Sequence, residues 1–123
     1  MIWEPFIPKR YRQGTLISFQ KRGKNNNEWY FYLYKDTLKL MEISVKKNSI
    51  KFYYDRKRKA VGMEVLGYNH KEGFNINKNH RLSVSELCNK LLVPEGLVNN
   101  TKSVVKKCKT NVGFFEFDLV EDI

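Results

Sequence analysis

A mainly β fold with one short helix, built as an OB-like β-barrel or a curled antiparallel sheet, is what this sequence predicts. Three observations carry the prediction. Short runs of alternating apolar character recur along the chain, and aromatic and β-branched residues fill them. Clusters of Gly, Asn and Pro separate the runs. Only one segment carries a helix signature. At 123 residues, 41% hydrophobic and 14% aromatic, the chain holds one core, and residues 1–123 read as a single domain.

The elements follow in order. Residues 1–14, with Pro5 and Pro8, read as an extended arm. Residues 15–20 alternate as a first strand, and KRGKNNN (21–27) is a loop around Gly23 and three asparagines. EWYFYLYK (28–35) is the strongest strand, because aromatic side chains suit a half-buried pleated surface. Asp36 and Thr37 read as a turn, followed by LKLMEISV (38–45) as a strand. After a turn at Asn48 and Ser49, IKFYYD (50–55) and VGMEVLG (61–67) form a hairpin with a basic tip. Residues 67–73 are loop-like, and FNIN (74–77) is a short strand. SVSELCNKLL (83–92) is the helix, with Ser83 and Glu86 spaced as a capping box and Pro94 and Gly96 ending it. SVVKKCK (103–109) and GFFEFDL (113–119) are two further strands, joined through Thr110 and Asn111.

Charge points to partners rather than to fold. The 23 Lys and Arg residues outnumber 13 acids, giving +10 and a pI near 9.6. All 23 precede residue 110 together with only nine acids, so the first 109 residues carry +14. Glu116, Asp118, Glu121 and Asp122 make the end acidic. A polyanion is drawn to such a body, and each phosphate neutralised releases a counterion. A Lys-, Asn-, Ile-, Tyr- and Phe-rich composition is equally what an AT-rich genome yields.

Alternation divides the strongest strand into two faces. Trp29, Phe31 and Leu33 form an ordinary core face, and Tyr30, Tyr32 and Tyr34 share the other. A phenol ring offers a flat π surface on which an unstacked base of any identity lies. Lys21, Arg22, Lys24 and Lys35 flank those rings as candidate phosphate contacts. The competing reading buries both faces, under a second sheet, the helix or a subunit partner. In the second hairpin Ile50, Phe52 and Tyr54 alternate with Lys51 and Tyr53, and Val61, Met63 and Val65 alternate with Gly62 and Glu64. Lys51 and Tyr53 join the candidate nucleic-acid contacts, as do Arg56, Lys57, Arg58 and Lys59 at the tip, which are otherwise a solvated turn. Lys9, Arg10 and Arg12 form a third basic patch, while Trp3 and Phe6 read as packing onto a neighbouring subunit.

Other chemistries find little support. The spacing of His70, His80, Cys88 and Cys108 matches no zinc-ligand pattern, and two unpaired-looking cysteines suggest no disulfide framework. Asp36, Asp55, Glu64 and Glu72 show no paired-carboxylate spacing, and there is no glycine-rich phosphate loop. The expectation is a non-enzyme without cofactor or metal. The charged, Pro-containing start resembles no signal peptide, and no apolar stretch reaches membrane-spanning length, so a soluble intracellular protein is expected.

With EWYFYLYK, FYYDRKRKAVGMEV and the acidic end in view, the chain resembles the small single-stranded-DNA-binding proteins encoded by phages of low-GC Gram-positive bacteria, the lactococcal ones in particular. The resemblance implies an OB-like barrel, a dimer or tetramer, and sequence-tolerant binding in phage DNA replication and recombination. It also implies work in the cytoplasm of the infected host beside a RecA-type recombinase. One departure is that FFEFDLVEDI alternates like a strand, with Phe115, Phe117 and Leu119 on one face, so its acids read as a sheet edge rather than a recruiting tail. Two other classes stay open: a phage protein that binds and inhibits a host protein, and a regulator reading duplex DNA with a β ribbon.

Overall fold

A computed structural model describes residues 2–5, 14–23 and 27–119. Its strands are β1 (Leu16–Arg22), β2 (Glu28–Leu33), β3 (Asn48–Asp55), β4 (Ala60–Gly67), β5 (Phe74–Asn75), β6 (Arg81–Ser83), β7 (Thr101–Val104), β8 (Lys106–Lys107) and β9 (Phe114–Asp118). Two short helices interrupt them: α1 (Lys35–Met41), and α2 (Ser85–Leu87), which continues into a π-helical turn at Cys88–Leu92. The fold is therefore mainly β, as the alternation predicts.

The strands form two antiparallel sheets, in the orders β6-β2-β1-β7 and β5-β3-β4-β9-β8. Residues one apart along each strand point to opposite faces, so each sheet contributes one apolar face to a shared core. From the first sheet come Ile17, Phe19, Trp29, Phe31 and Leu33; from the second come Ile50, Val61, Met63, Phe115 and Phe117. Their rings interlock between the layers. Phe19 lies 5.0 Å from Phe31 and 5.3 Å from Phe117, and Phe52 meets Phe31 at 5.6 Å. Each fully buried phenylalanine contributes roughly 1.5–3 kcal/mol of transfer free energy.

The sheets curl toward each other at both margins without closing into a barrel among the described residues. On one side a single bridge, Ile76 to Leu82, links the β5 and β6 ends. On the other, residues 101–107 change sheets at Val105, pairing first with β1 and then with β9. The corner is held by a reciprocal pair: Val105 N–H donates to the Thr15 carbonyl and Thr15 Oγ1 donates to the Val105 carbonyl, both at 2.6 Å. Ser103 Oγ ties β7 to β9 by donating to the Asp118 carbonyl at 2.8 Å.

Several predicted elements are corrected. Residues 38–45 are not a strand, and Asp36 and Thr37 are not a turn: both belong to α1 or its exit. Thr37, Leu38 and Met41 are buried at helical spacing, and Thr37 Oγ1 anchors the helix by donating to the Leu16 carbonyl at 2.6 Å. Glu42 ends it in the left-handed region at φ +56°, with Ile43 N–H returning to the Leu38 carbonyl and Glu42 N–H to that of Lys39. The turn expected at Asn48 and Ser49 lies earlier. Asn48 Oδ1 accepts from Ser44 N–H, and Asn48 and Ser49 already belong to β3. Ser83 caps nothing, since it lies in β6, a strand the sequence reading omits. Val84 is the N-cap, and the Ser85 hydroxyl instead accepts the Trp29 N–H at 2.9 Å. Finally, β9 is no sheet edge, because β8 pairs along its outer side.

Candidate nucleic-acid interface

The outer face of the first sheet is built by register. Across β6, β2, β1 and β7 one row reads Arg81, Tyr32, Ser18 and Lys102. The next row reads Ser83, Tyr30 and Gln20, and Glu28 opposes Arg22 beyond it. Tyr34 follows β2 in extended conformation, its N–H donating to the Leu16 carbonyl at 3.2 Å. The sequence division holds: Trp29, Phe31 and Leu33 are 3% exposed or less, whereas Tyr30, Tyr32 and Tyr34 are half-buried on the far side. On the inner side β1 and β2 meet the second sheet through Phe19 and Phe31, and at the strand ends they touch α1 and α2.

The rings brace one another. Tyr32 meets Tyr34 edge to face at 5.2 Å, and His80 lies nearly parallel to Tyr32 at 6.0 Å and 23°. Lys102 Nζ sits 5.4 Å over the Tyr34 ring, an arrangement that holds a cation against an aromatic face. Tyr30 donates to Glu28 Oε2 at 3.1 Å, and that hydrogen bond and the carboxylate's charge raise its phenol above the ordinary value. Arg22 Nη2 donates to Gln20 Oε1 at 2.7 Å, which steers the guanidinium along this face. The three rings, with Arg22, Arg81 and Lys102 around them, form an aromatic platform in a cationic frame.

Other predicted residues fall elsewhere. Lys21 opposes Trp29 and shares its side of the sheet, with its ammonium 5.9 Å from the indole ring. Lys35 is exposed at the start of α1. Lys9, Arg10, Arg12 and Lys24 lie outside the described residues, as does most of the arm, although Trp3 is exposed.

The second hairpin does not extend the platform. The two sheets share their inner faces, so Tyr53 and Lys51, on the outer face of the second, point away from Tyr30, Tyr32 and Tyr34. Lys51 pairs with Glu72 at 2.9 Å and holds its carboxyl below the usual range. At the tip Arg56 pairs with Glu95 at 3.1 Å, and Arg58 pairs with Glu116 at 2.8 Å and Asp55 at 3.9 Å. Lys57 and Lys59 are exposed, without an ion pair among the described residues. Beside the tip, on the same outer face, lies a cavity of about 390 Å³ lined by Tyr53, Arg58, Gly62, Phe114 and Glu116.

His80, Arg81 and Lys102 are the residues sequence reasoning missed. Nothing in the short run Arg81–Ser83 marks it as the neighbour of β2, and the place of Lys102 follows only from the pairing of β7 with β1. Among the described residues no cluster of three or more His, Cys, Asp or Glu is arranged to hold a metal, and no helix is long and apolar enough to cross a membrane. Comparison with protein-family models, with curated proteins and with solved structures finds no match.

Proposed function

We propose that the chain binds single-stranded DNA without sequence preference on the outer face of its first sheet. The observation that carries this reading is the tyrosine row: three phenol rings on the solvent side of a strand whose other side is wholly buried, with Arg81 and Lys102 beside them in register. Successive bases stack on Tyr30, Tyr32 and Tyr34, and the backbone runs past Arg22, Arg81 and Lys102. Stacking of this kind contributes roughly 1–3 kcal/mol per base and tolerates every sequence. The platform belongs to a non-enzymatic binder that protects or presents a strand. The resemblance of residues 28–35 and 52–65 to phage single-strand binders adds a setting: phage replication and recombination in the bacterial cytoplasm, as a homo-oligomer beside a RecA-type recombinase.

The test is fluorescence anisotropy of labelled oligo-dT against the whole protein, with duplex of the same length as the control. A label on the DNA is the right reporter, because Trp29 lies in the core and cannot touch a base. Tight oligo-dT binding that weakens steeply with salt, and weak duplex binding, is the expected result. No binding at low salt overturns the reading in favour of a protein-binding face. Tight binding to one duplex sequence alone favours a β-ribbon regulator.

A further inference from the structure

The cavity on the outer face of the second sheet has the features of a ligand site distinct from the tyrosine platform. Its volume of about 390 Å³ lies within the range of small-molecule sites, roughly 300–1,000 Å³. Gly62 forms part of its floor. In register this residue stands between Tyr53 on β3 and Glu116 on β9, in the middle of a sheet where a side chain is expected. A glycine inside a strand often marks close approach by a ligand. Nothing in the backbone demands it here, because a Cβ would meet only Tyr53 Cβ at 3.5 Å and the Tyr53 carbonyl oxygen at 4.0 Å.

The walls are chemically specific. Tyr53 and Phe114 offer rings 5.3 Å apart at 38°. The Tyr53 hydroxyl is fixed by donating to Glu64 Oε1 at 2.8 Å, and Lys51 Nζ lies 4.9 Å from its ring. Glu116 is only 7% exposed, and its Oε2 accepts from Arg58 Nη2 at 2.8 Å. Guanidinium and carboxylate thus stand side by side as donor and acceptor in a cavity that the contacting Tyr53–Phe114 pair walls on one side. The charged residues lining the cavity are Asp55, Arg58 and Glu116, so it lacks the cationic character a phosphate requires.

The geometry points to a binding site for a guanine base, stacked on Tyr53 above Gly62, with O6 taking a hydrogen bond from Arg58 and the N1–H and N2–H donors facing Glu116. An ionised carboxylate only accepts, so it matches the two adjacent donors of guanine. Adenine and cytosine each place an acceptor beside their single amino group on that edge. The base arrives either as free nucleoside or at the end of a strand; the chemistry is the same. This inference does not rest on the tyrosine platform.

Titration of the isotope-labelled full chain with guanosine, followed through its backbone amide spectrum, is the test. Saturable shifts centred on Tyr53, Gly62 and Glu116, with adenosine at least about tenfold weaker, are expected. A parallel arm compares oligo-dT with oligo-dT carrying one terminal guanine. Guanosine binding identifies the free base as the source, and binding that shifts these amides only with the guanine-ended strand identifies the strand end. Gly62→Leu fills the cavity and abolishes either response while leaving oligo-dT affinity unchanged. Should that variant fail to fold, Tyr53→Leu removes the stacking ring and weakens the response about tenfold. No saturable shift with either guanine source, or shifts that persist in these variants, overturns the proposal.

Discussion

Tyr32 occupies the centre of the platform, between Arg81 and Ser18 in register and against both Tyr34 and His80. Replacing it by alanine removes a stacking surface without opening the core, because the core residues of this strand point the other way. Tyr32→Ala should therefore weaken oligo-dT binding by about 1–3 kcal/mol, with the thermal midpoint little changed. Had the ring been core, a loss of about 3–5 kcal/mol of stability would appear in its place. The cysteines separate just as clearly. Burial pushes the Cys88 thiol up to about 12, whereas the Thr110 hydroxyl and nearby backbone N–H groups lower Cys108. A thiol reagent at neutral pH should modify Cys108 in the native protein and reach Cys88 only after unfolding. The folded chain keeps Cys88 protonated where the unfolded chain ionises, so this thiol contributes stability that is whole below pH 9 and lost as pH rises toward 12. Comparing wild-type and Cys88→Ala denaturation across that window isolates the effect.

At the scale of the element, α1 and the hairpin tip are instructive. Glu42 holds the left-handed conformation that ends α1, a position glycine adopts without a Cβ penalty. Glu42→Gly should leave chemical denaturation unchanged or raise stability by up to about 1 kcal/mol. A strand at this position, the expectation from its alternation, gives glycine no such advantage. The sequence 38–45 misled because Met41, Ile43 and Val45 alternate with Glu42 and Ser44 in a short period-two pattern. The choice was made by the Thr37 bond to β1, a tertiary contact no local window contains. The ion pairs of the tip were illegible for a related reason. Four successive basic residues look like one patch, yet their acidic partners, Glu95 and Glu116, are distant in sequence. By contrast the split of β2 into core and platform faces was legible, because it needs only the alternation of one long aromatic strand.

For the whole molecule, the two-sheet arrangement decides which candidate contacts act together. Opposed outer faces put Tyr53 and the tip on one side and Tyr30, Tyr32 and Tyr34 on the other, a separation invisible without strand order. Charge tests this division. Arg81→Ala and Lys102→Ala should each lower the slope of log affinity against log salt by roughly one, while Arg56→Ala leaves it unchanged. The shared core tests the architecture. Phe117 touches Phe19 and Phe31 across the layers, so Phe117→Ala should lower unfolding free energy by about 3–5 kcal/mol. The central claim, that a strand of DNA lies on the tyrosine platform, is tested most directly by photocrosslinking. Bromouracil-substituted oligo-dT is irradiated on the full chain, and the modified peptides are identified by mass spectrometry. Adducts on Tyr30, Tyr32 or Tyr34 are predicted; adducts confined to Tyr53 and residues 56–59 would contradict it.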